Sequence, residues 1–187
     1  VTASGGSAAN TMIGIAGFGG RAYFACQLGK DRWGDIYQED LEKAGVHTNS
    51  DNRVAGRTGQ CVVLITPDAD RTLNTYLGVS SSIGPEQLEE TVIASSQYLY
   101  IEGYLLTSDS GFATCLKAQE FARKGDTPVS LTLSDPSIVG AFKERFVQLV
   151  ESGVDLLFCN EDEARAYTGM DDRKGACSAL SDLVPQA

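Results

Sequence analysis

Histidine is nearly missing from this chain: of 187 residues, only His47 is one. That excludes a zinc enzyme built on several imidazoles. A Ser-His-Asp hydrolase would rest on one side chain set among the polar loop residues Val46-His47-Thr48-Asn49. No apolar run reaches the roughly 18 residues that span a bilayer, and Val1-Thr2-Ala3-Ser4 has neither the charged nor the apolar part of a signal peptide. Basic residues are also short, with 15 Lys plus Arg against 25 Asp plus Glu and a formal net charge of −10. Such a balance leaves room for a basic pocket but not for a basic face that attracts nucleic acid or an anionic membrane. The five cysteines, Cys26, Cys61, Cys115, Cys159 and Cys177, include no C-x-x-C pair. Scattered and odd in number, they read as reduced thiols of a cytoplasmic protein, mostly small core residues. The Walker pattern G-x-x-x-x-G-K-[ST] is absent as well.

What is present suits one domain, or a large piece of one, since 42% apolar residues can supply a core. Ala8 to Phe18 reads as a helix stopped by Gly19-Gly20, and Ala22 to Cys26 as a buried strand. A turn over Gly29-Lys30-Asp31-Arg32 leads to a helix from Asp35 to Ala44. Cys61 to Ile65 and Arg71 to Leu77 flank Pro67-Asp68-Ala69-Asp70, which predicts a hairpin. Helix and strand then alternate. A helix opened by Pro85 precedes a strand at Tyr98–Ile101, and a helix striped by Phe112, Cys115, Leu116 and Ala122 precedes a strand at Val129–Leu133. A helix carrying Phe142, Phe146, Leu149 and Val150 leads to a strand at Leu156–Cys159, then to a helix from Glu161 to Tyr167. Alternation at this spacing implies parallel strands with helices on both faces, an α/β fold.

Three segments have the residue types for chemistry. Gly17-Phe18-Gly19-Gly20-Arg21-Ala22 fits a loose G-x-G-x-x-A, but it follows a helix and precedes a strand, the reverse of a dinucleotide fingerprint, so it reads as a helix stop. Gly5-Gly6 ahead of a helix, with Asn10 one turn inside it, would let a polyhydroxy ligand meet backbone N–H groups and an amide; the same residues also suit a capped, flexible tail. Asn160-Glu161-Asp162-Glu163 follows a strand, where an open parallel sheet lines its ligand crevice. It suits a hydrated Mg²⁺, and equally a capping box with Asn160 as N-cap and Glu163 at N3. Glu102 and Asp135 also fall at strand ends, as groups for substrate hydroxyls or as solvated loop carboxylates.

Taken in order, these segments resemble the ribokinase, or PfkB, family of carbohydrate and nucleoside kinases. Gly5-Gly6-Ser7-Ala8-Ala9-Asn10 is similar to its Gly-Gly-x-x-x-Asn substrate motif, and Leu28-Gly29-Lys30-Asp31-Arg32-Trp33-Gly34 to its vGdDxfG turn. Thr58-Gly59-Gln60 with the following hairpin resembles the segment feeding its small lid, and Asn160-x-x-Glu163 its N-x-x-E motif. Tyr100–Leu105 and Leu133–Ser137 look most like the adenosine kinase branch.

The resemblance covers nearly the whole chain. It implies a ribokinase-like three-layer α/β/α fold with a mostly parallel sheet and a small β lid, in one partial domain over 1–187 with lid elements around 1–5 and 54–80. It implies ATP-dependent phosphorylation of a primary alcohol on a sugar or nucleoside. Gly5, Gly6, Asn10 and Glu102 would bind substrate. Asn160 and Glu163 would serve ATP and Mg²⁺, with Glu163 holding the metal through water. The expected partners are small molecules, with no nucleic acid and no membrane, for a monomer or homodimer. Family members also carry a strand before the glycine pair and, later, a Gly-Ala-Gly-Asp motif whose Asp is the general base. The nearest string here is Lys174-Gly175-Ala176-Cys177. The resemblance therefore implies an internal fragment, truncated at both ends and inactive alone, of a longer kinase. Two alternatives are a non-catalytic sugar- or nucleoside-binding module of the same fold and a plain nucleotide-binding Rossmann-type domain. The last would need a glycine-rich turn opening a helix after a strand, which the sequence does not offer.

Overall fold

Small residues after a glycine pair start the first helix, α1 (Ser7–Gly17), which buries Ala9 and Met12. The computed structural model describes residues 2–49 and 52–185. The chain divides into two units, Val1–Gln87 and Leu88–Ala187.

In the first unit, β1 (Ala22–Phe24), α2 (Arg32–Lys43) and β2 (Val46–Thr48) follow α1, and β1 pairs with β2 in parallel with Ala22 opposite Val46. Helix α2 begins three residues before the expected start because Asp31 is its N-cap: the carboxylate accepts from the Gly34 N–H at 2.9 Å. His47 lies in β2 and not in a loop. Three residues are too few for a period-2 signal, and the buried Val46 beside Ala22 is what holds the strand. The hairpin is present as β3 (Gln60–Ile65) and β4 (Arg71–Tyr76), antiparallel from Gln60 opposite Tyr76 to Ile65 opposite Arg71, with every residue of both strands exposed.

Pro85 does not open the helix expected to run from it through Leu88, Val92 and Ile93. Pro85–Gln87 forms one 3₁₀ turn, and the helix that follows in the second unit, α3 (Glu90–Ala94), is short. The Gln87 side chain is buried, and its amide donates to Gln27 Oε1 and the Asn52 carbonyl. These tertiary bonds hold the turn against local helix propensity.

The second unit continues with β5 (Leu99–Glu102), α4 (Asp109–Lys124), β6 (Val129–Thr132), α5 (Pro136–Ala141), α6 (Lys143–Glu151), β7 (Leu156–Phe158), α7 (Glu161–Thr168) and α8 (Arg173–Leu183). Strands β5, β6 and β7 form a parallel sheet in that order, with Glu102 opposite Thr132 and Thr132 opposite Phe158. The helix expected around Phe142 breaks there: Asp135 caps α5 through the N–H groups of Ser137 and Ile138, and Phe142 is the joint before α6. Helix α8 escapes sequence reading because its buried stripe is only Ala176 and Leu180. Leu106, Leu131, Leu133, Val139, Phe146 and Leu149 are wholly buried in the core of this unit. Of the cysteines only Cys115 is buried; Cys61 and Cys177 are exposed, which corrects the reading of them as core. Among the described residues no helix is long and apolar enough to cross a membrane.

Candidate functional site

Gly6 sits at φ +109°, a region that costs glycine little and an L side chain much. Its carbonyl accepts from the Asn10 N–H at 2.9 Å, closing the entry turn of α1. Tyr37 Oη, from α2, donates to the Gly5 carbonyl at 2.9 Å, and Ser4 Oγ donates to Asp40 at 2.6 Å, so the segment entering the glycine pair is tethered to α2. Burial, and after it the nearby Cys26, pushes the Tyr37 phenol up, which keeps its proton in place as the donor. Gly5, Gly6 and Asn10 are exposed. Gly5 and Gly6 thus form an ordered loop and not a loose tail.

In the second unit the parallel register sets the carboxyl ends of β5, β6 and β7 side by side, where an open sheet gathers ligand groups. Glu102, which ends β5, is 6% exposed and accepts from Tyr100 Oη at 3.1 Å; it is not a solvated loop carboxylate. Gly103 follows. A Cβ there would lie 2.8 Å from the carbonyl oxygens of Thr132 and Leu133, so the close approach of these strand ends requires glycine. Ser134, beyond β6, has φ +70°, a strained conformation for a side-chain-bearing residue. Its hydroxyl accepts from the Gly103 N–H at 2.9 Å and its carbonyl from Tyr104 Oη at 3.2 Å. Burial raises the Tyr104 phenol, and Asp135, Glu102 and Glu163 raise it further. Sequence reasoning did not single out Tyr104 or Ser134, because a strained φ and a shared electric field have no local signature.

Asn160 and Glu163 form a complete capping box on α7. Asn160 Oδ1 accepts from the Glu163 N–H at 2.9 Å; in return Glu163 Oε2 accepts from the Asn160 N–H at 3.1 Å and Oε1 from Asn160 Nδ2 at 2.8 Å. Glu163 is 6% exposed. Both of its oxygens are engaged, and each keeps a lone pair. Among the described residues no group of three or more His, Cys, Asp or Glu side chains is arranged to hold a metal ion. This donor set suits a hydrogen bond to a metal-bound water and does not suit a cage of direct ligands. A shallow cavity of about 210 Å³ adjoins Asn160, lined also by Cys159, Glu161, Arg173 and Cys177.

Comparison with known proteins bears on the chain as a whole. The family model described as pfkB family carbohydrate kinase matches residues 1–186. Guanosine-inosine kinase of Escherichia coli K12 is 33% identical over 134 residues, which is 70% of this chain and 31% of that protein. Adenosine kinase of Saccharomyces cerevisiae is 30% identical over 169 residues, 88% of this chain and 48% of that one. Among solved structures, adenosine kinase from Sinorhizobium meliloti superposes with a TM-score of 0.91 at 35% identity, covering 98% of this chain and 57% of that chain. The chain thus spans between about a third and a half of the length of these curated relatives. The α/β fold is the ribokinase-like one. The chain belongs to the PfkB family of carbohydrate kinases.

Proposed function

We propose that the protein carrying this chain transfers the γ-phosphoryl group of ATP to a primary alcohol of a nucleoside or related sugar. The observation that carries this reading is the Asn160–Glu163 pair, joined by three reciprocal hydrogen bonds: a buried carboxylate that accepts two of them, at the carboxyl end of a parallel strand. It occurs in one chain with a tethered Gly5-Gly6 loop and an exposed Asn10. The names of the relatives, which include adenosine and guanosine-inosine kinases, favour a purine nucleoside as acceptor.

In this reading the Gly5-Gly6 backbone and the Asn10 amide orient hydroxyls of the acceptor, and Glu102 is a group suited to accept from a hydroxyl. Asn160 and Glu163 orient waters on the metal–nucleotide side. Mg²⁺, when bound, supplies charge neutralisation on the phosphates. Phosphoryl transfer needs little beyond in-line positioning and such neutralisation, so residues that only hold and orient account for much of the rate. The exposed β3–β4 hairpin serves as the lid that excludes water when substrate is present. No Gly-Ala-Gly-Asp string occurs in the sequence, and no residue of it is assigned as the general base.

The test is a phosphorylation panel with the intact protein, ATP and Mg²⁺, offering adenosine, guanosine, inosine, ribose and fructose. Formation of a 5′-phosphate from a nucleoside supports the proposal. Saturable binding of these compounds with no transfer to any of them would overturn it in favour of a binding module, which would show ligand-induced thermal stabilisation that ATP does not change.

A further inference from the structure

The first unit contains a cavity of about 380 Å³ lined by Asp31, Arg32, Trp33, Arg57 and Gln60. Neither the glycine pair nor Asn10 lines it. It is an open depression on the surface, with Arg32, Trp33, Arg57 and Gln60 all exposed.

Two arginines line it, and among the described residues neither is neutralised. Acidic residues outnumber basic ones by 25 to 15, so carboxylate partners are plentiful. Arg53 takes Asp35, Arg145 takes Asp109 and Arg165 takes Glu161. Among the described residues the guanidinium groups of Arg32 and Arg57 have no ion pair and no hydrogen bond. Arg32 instead lies over the Trp33 ring, 5.6 Å from its centroid. Asp31 is the one carboxylate in the lining, and it is already committed. It accepts from the Gly34 and Thr58 N–H groups and from the Thr58 hydroxyl, at 2.9, 3.0 and 2.6 Å.

We propose that this cavity is a binding site for a phosphorylated compound carrying a planar ring, an anion of mononucleotide size. Its phosphate is taken by Arg32 and Arg57 and its ring packs against Trp33. Guanidinium forks match phosphate oxygens, and an indole already stacked with one guanidinium offers a flat surface on which a second planar group gains affinity. Thr58 ties the site to the helix cap through Asp31, and Gln60 is the first residue of the hairpin. An occupant therefore touches the root of that hairpin. The proposal concerns a site outside the residues given to substrate and ATP above, and it stands whether or not phosphotransfer is found.

Trp33 is the single tryptophan of this sequence and supplies the readout. AMP, inorganic phosphate and adenosine are titrated separately into the intact protein at low ionic strength, with Trp33→Phe identifying the part of the emission change that belongs to this site. The expected result is saturation by AMP, weaker binding of inorganic phosphate, and a loss of AMP affinity of about tenfold or more in Arg57→Ala and in Arg32→Ala. Both side chains are exposed, so the variants keep the wild-type thermal midpoint. Where other tryptophans of the intact protein obscure the signal, calorimetry of wild type against Arg57→Ala gives the same comparison. An AMP affinity unchanged by both substitutions, or no saturation by about 10 mM, overturns the site. Phosphate binding as tightly as AMP overturns the role given to Trp33.

Discussion

Asn160 meets two demands with one side chain: it caps α7, and its amide holds the buried Glu163 carboxylate. The two roles separate in Asn160→Ser. Serine caps a helix about as well, so stability should stay within about 0.5 kcal/mol by urea unfolding, while the lost amide donor lowers phosphotransfer by about tenfold or more. Equal losses in both measurements would reduce Asn160 to a cap. At Gly6, an alanine is forced to φ +109°, and Gly6→Ala should cost about 1 kcal/mol or more and raise KM for the alcohol. Asp31 predicts a pH dependence. Burial raises its carboxyl, but the hydrogen bonds from Thr58 and Gly34 and the charge of Arg53 outweigh that and hold it below the usual carboxylate range. A carboxyl depressed in the folded state stabilises fully above its unfolded value near about 3.9, and the contribution disappears as pH falls through the folded value. The stability advantage of wild type over Asp31→Asn, in which asparagine still caps α2, should therefore be complete at neutral pH and shrink below about pH 4. An advantage that persists undiminished to about pH 2 would contradict the assignment.

Between elements, Arg145 is the clearest tie. From α6 it donates to the Leu106 carbonyl at 2.8 Å, pairs with Asp109 at the start of α4, and lies over the rings of Phe112 and Phe142 at 5.3 and 5.5 Å. One side chain thus joins α6, α4 and the turn after β5. Arg145→Ala removes the packing of its aliphatic stem as well as these bonds, and should destabilise the protein by about 2 kcal/mol in chemical denaturation. Arg145→Lys, which keeps charge and stem but loses the fork, should recover only part of that. Gln119 does similar work at the other end of α6, donating to the carbonyls of Leu149 and Gly153 at 3.0 and 2.9 Å and so satisfying groups that the helix end leaves open.

Across the whole molecule, protection is uneven. The three-stranded sheet β5–β6–β7 carries a continuous apolar core, whereas both faces of the β3–β4 hairpin are exposed, Val62, Leu64, Ile65 and Leu73 included. Amide hydrogen exchange should be slowest in β6, paired on both sides, and fastest among the strands in β3 and β4; comparable protection in the hairpin would mean that other parts of the intact protein cover it. The same contrast separates what was legible from what was not. Most element types, the hairpin and the helix cap at Asn160 could be read in advance, because caps, turns and apolar periods act over three to five neighbouring residues; that Asp135 caps α5 was seen only in the structure. The Asn160–Glu163 box was readable for the same reason, and the glycine pair stood out because few other residues tolerate such an entry turn. Strand β2 and helix α8 were missed: β2 is three residues held by pairing with β1, and α8 buries only Ala176 and Leu180. Only the tertiary structure decided that Glu102 is buried, that Ser134 is strained, and that the Tyr104 hydroxyl donates to the Ser134 carbonyl. Those facts depend on the register of three strands some thirty residues apart, and register is set by long-range pairing and burial that no local run of side chains encodes.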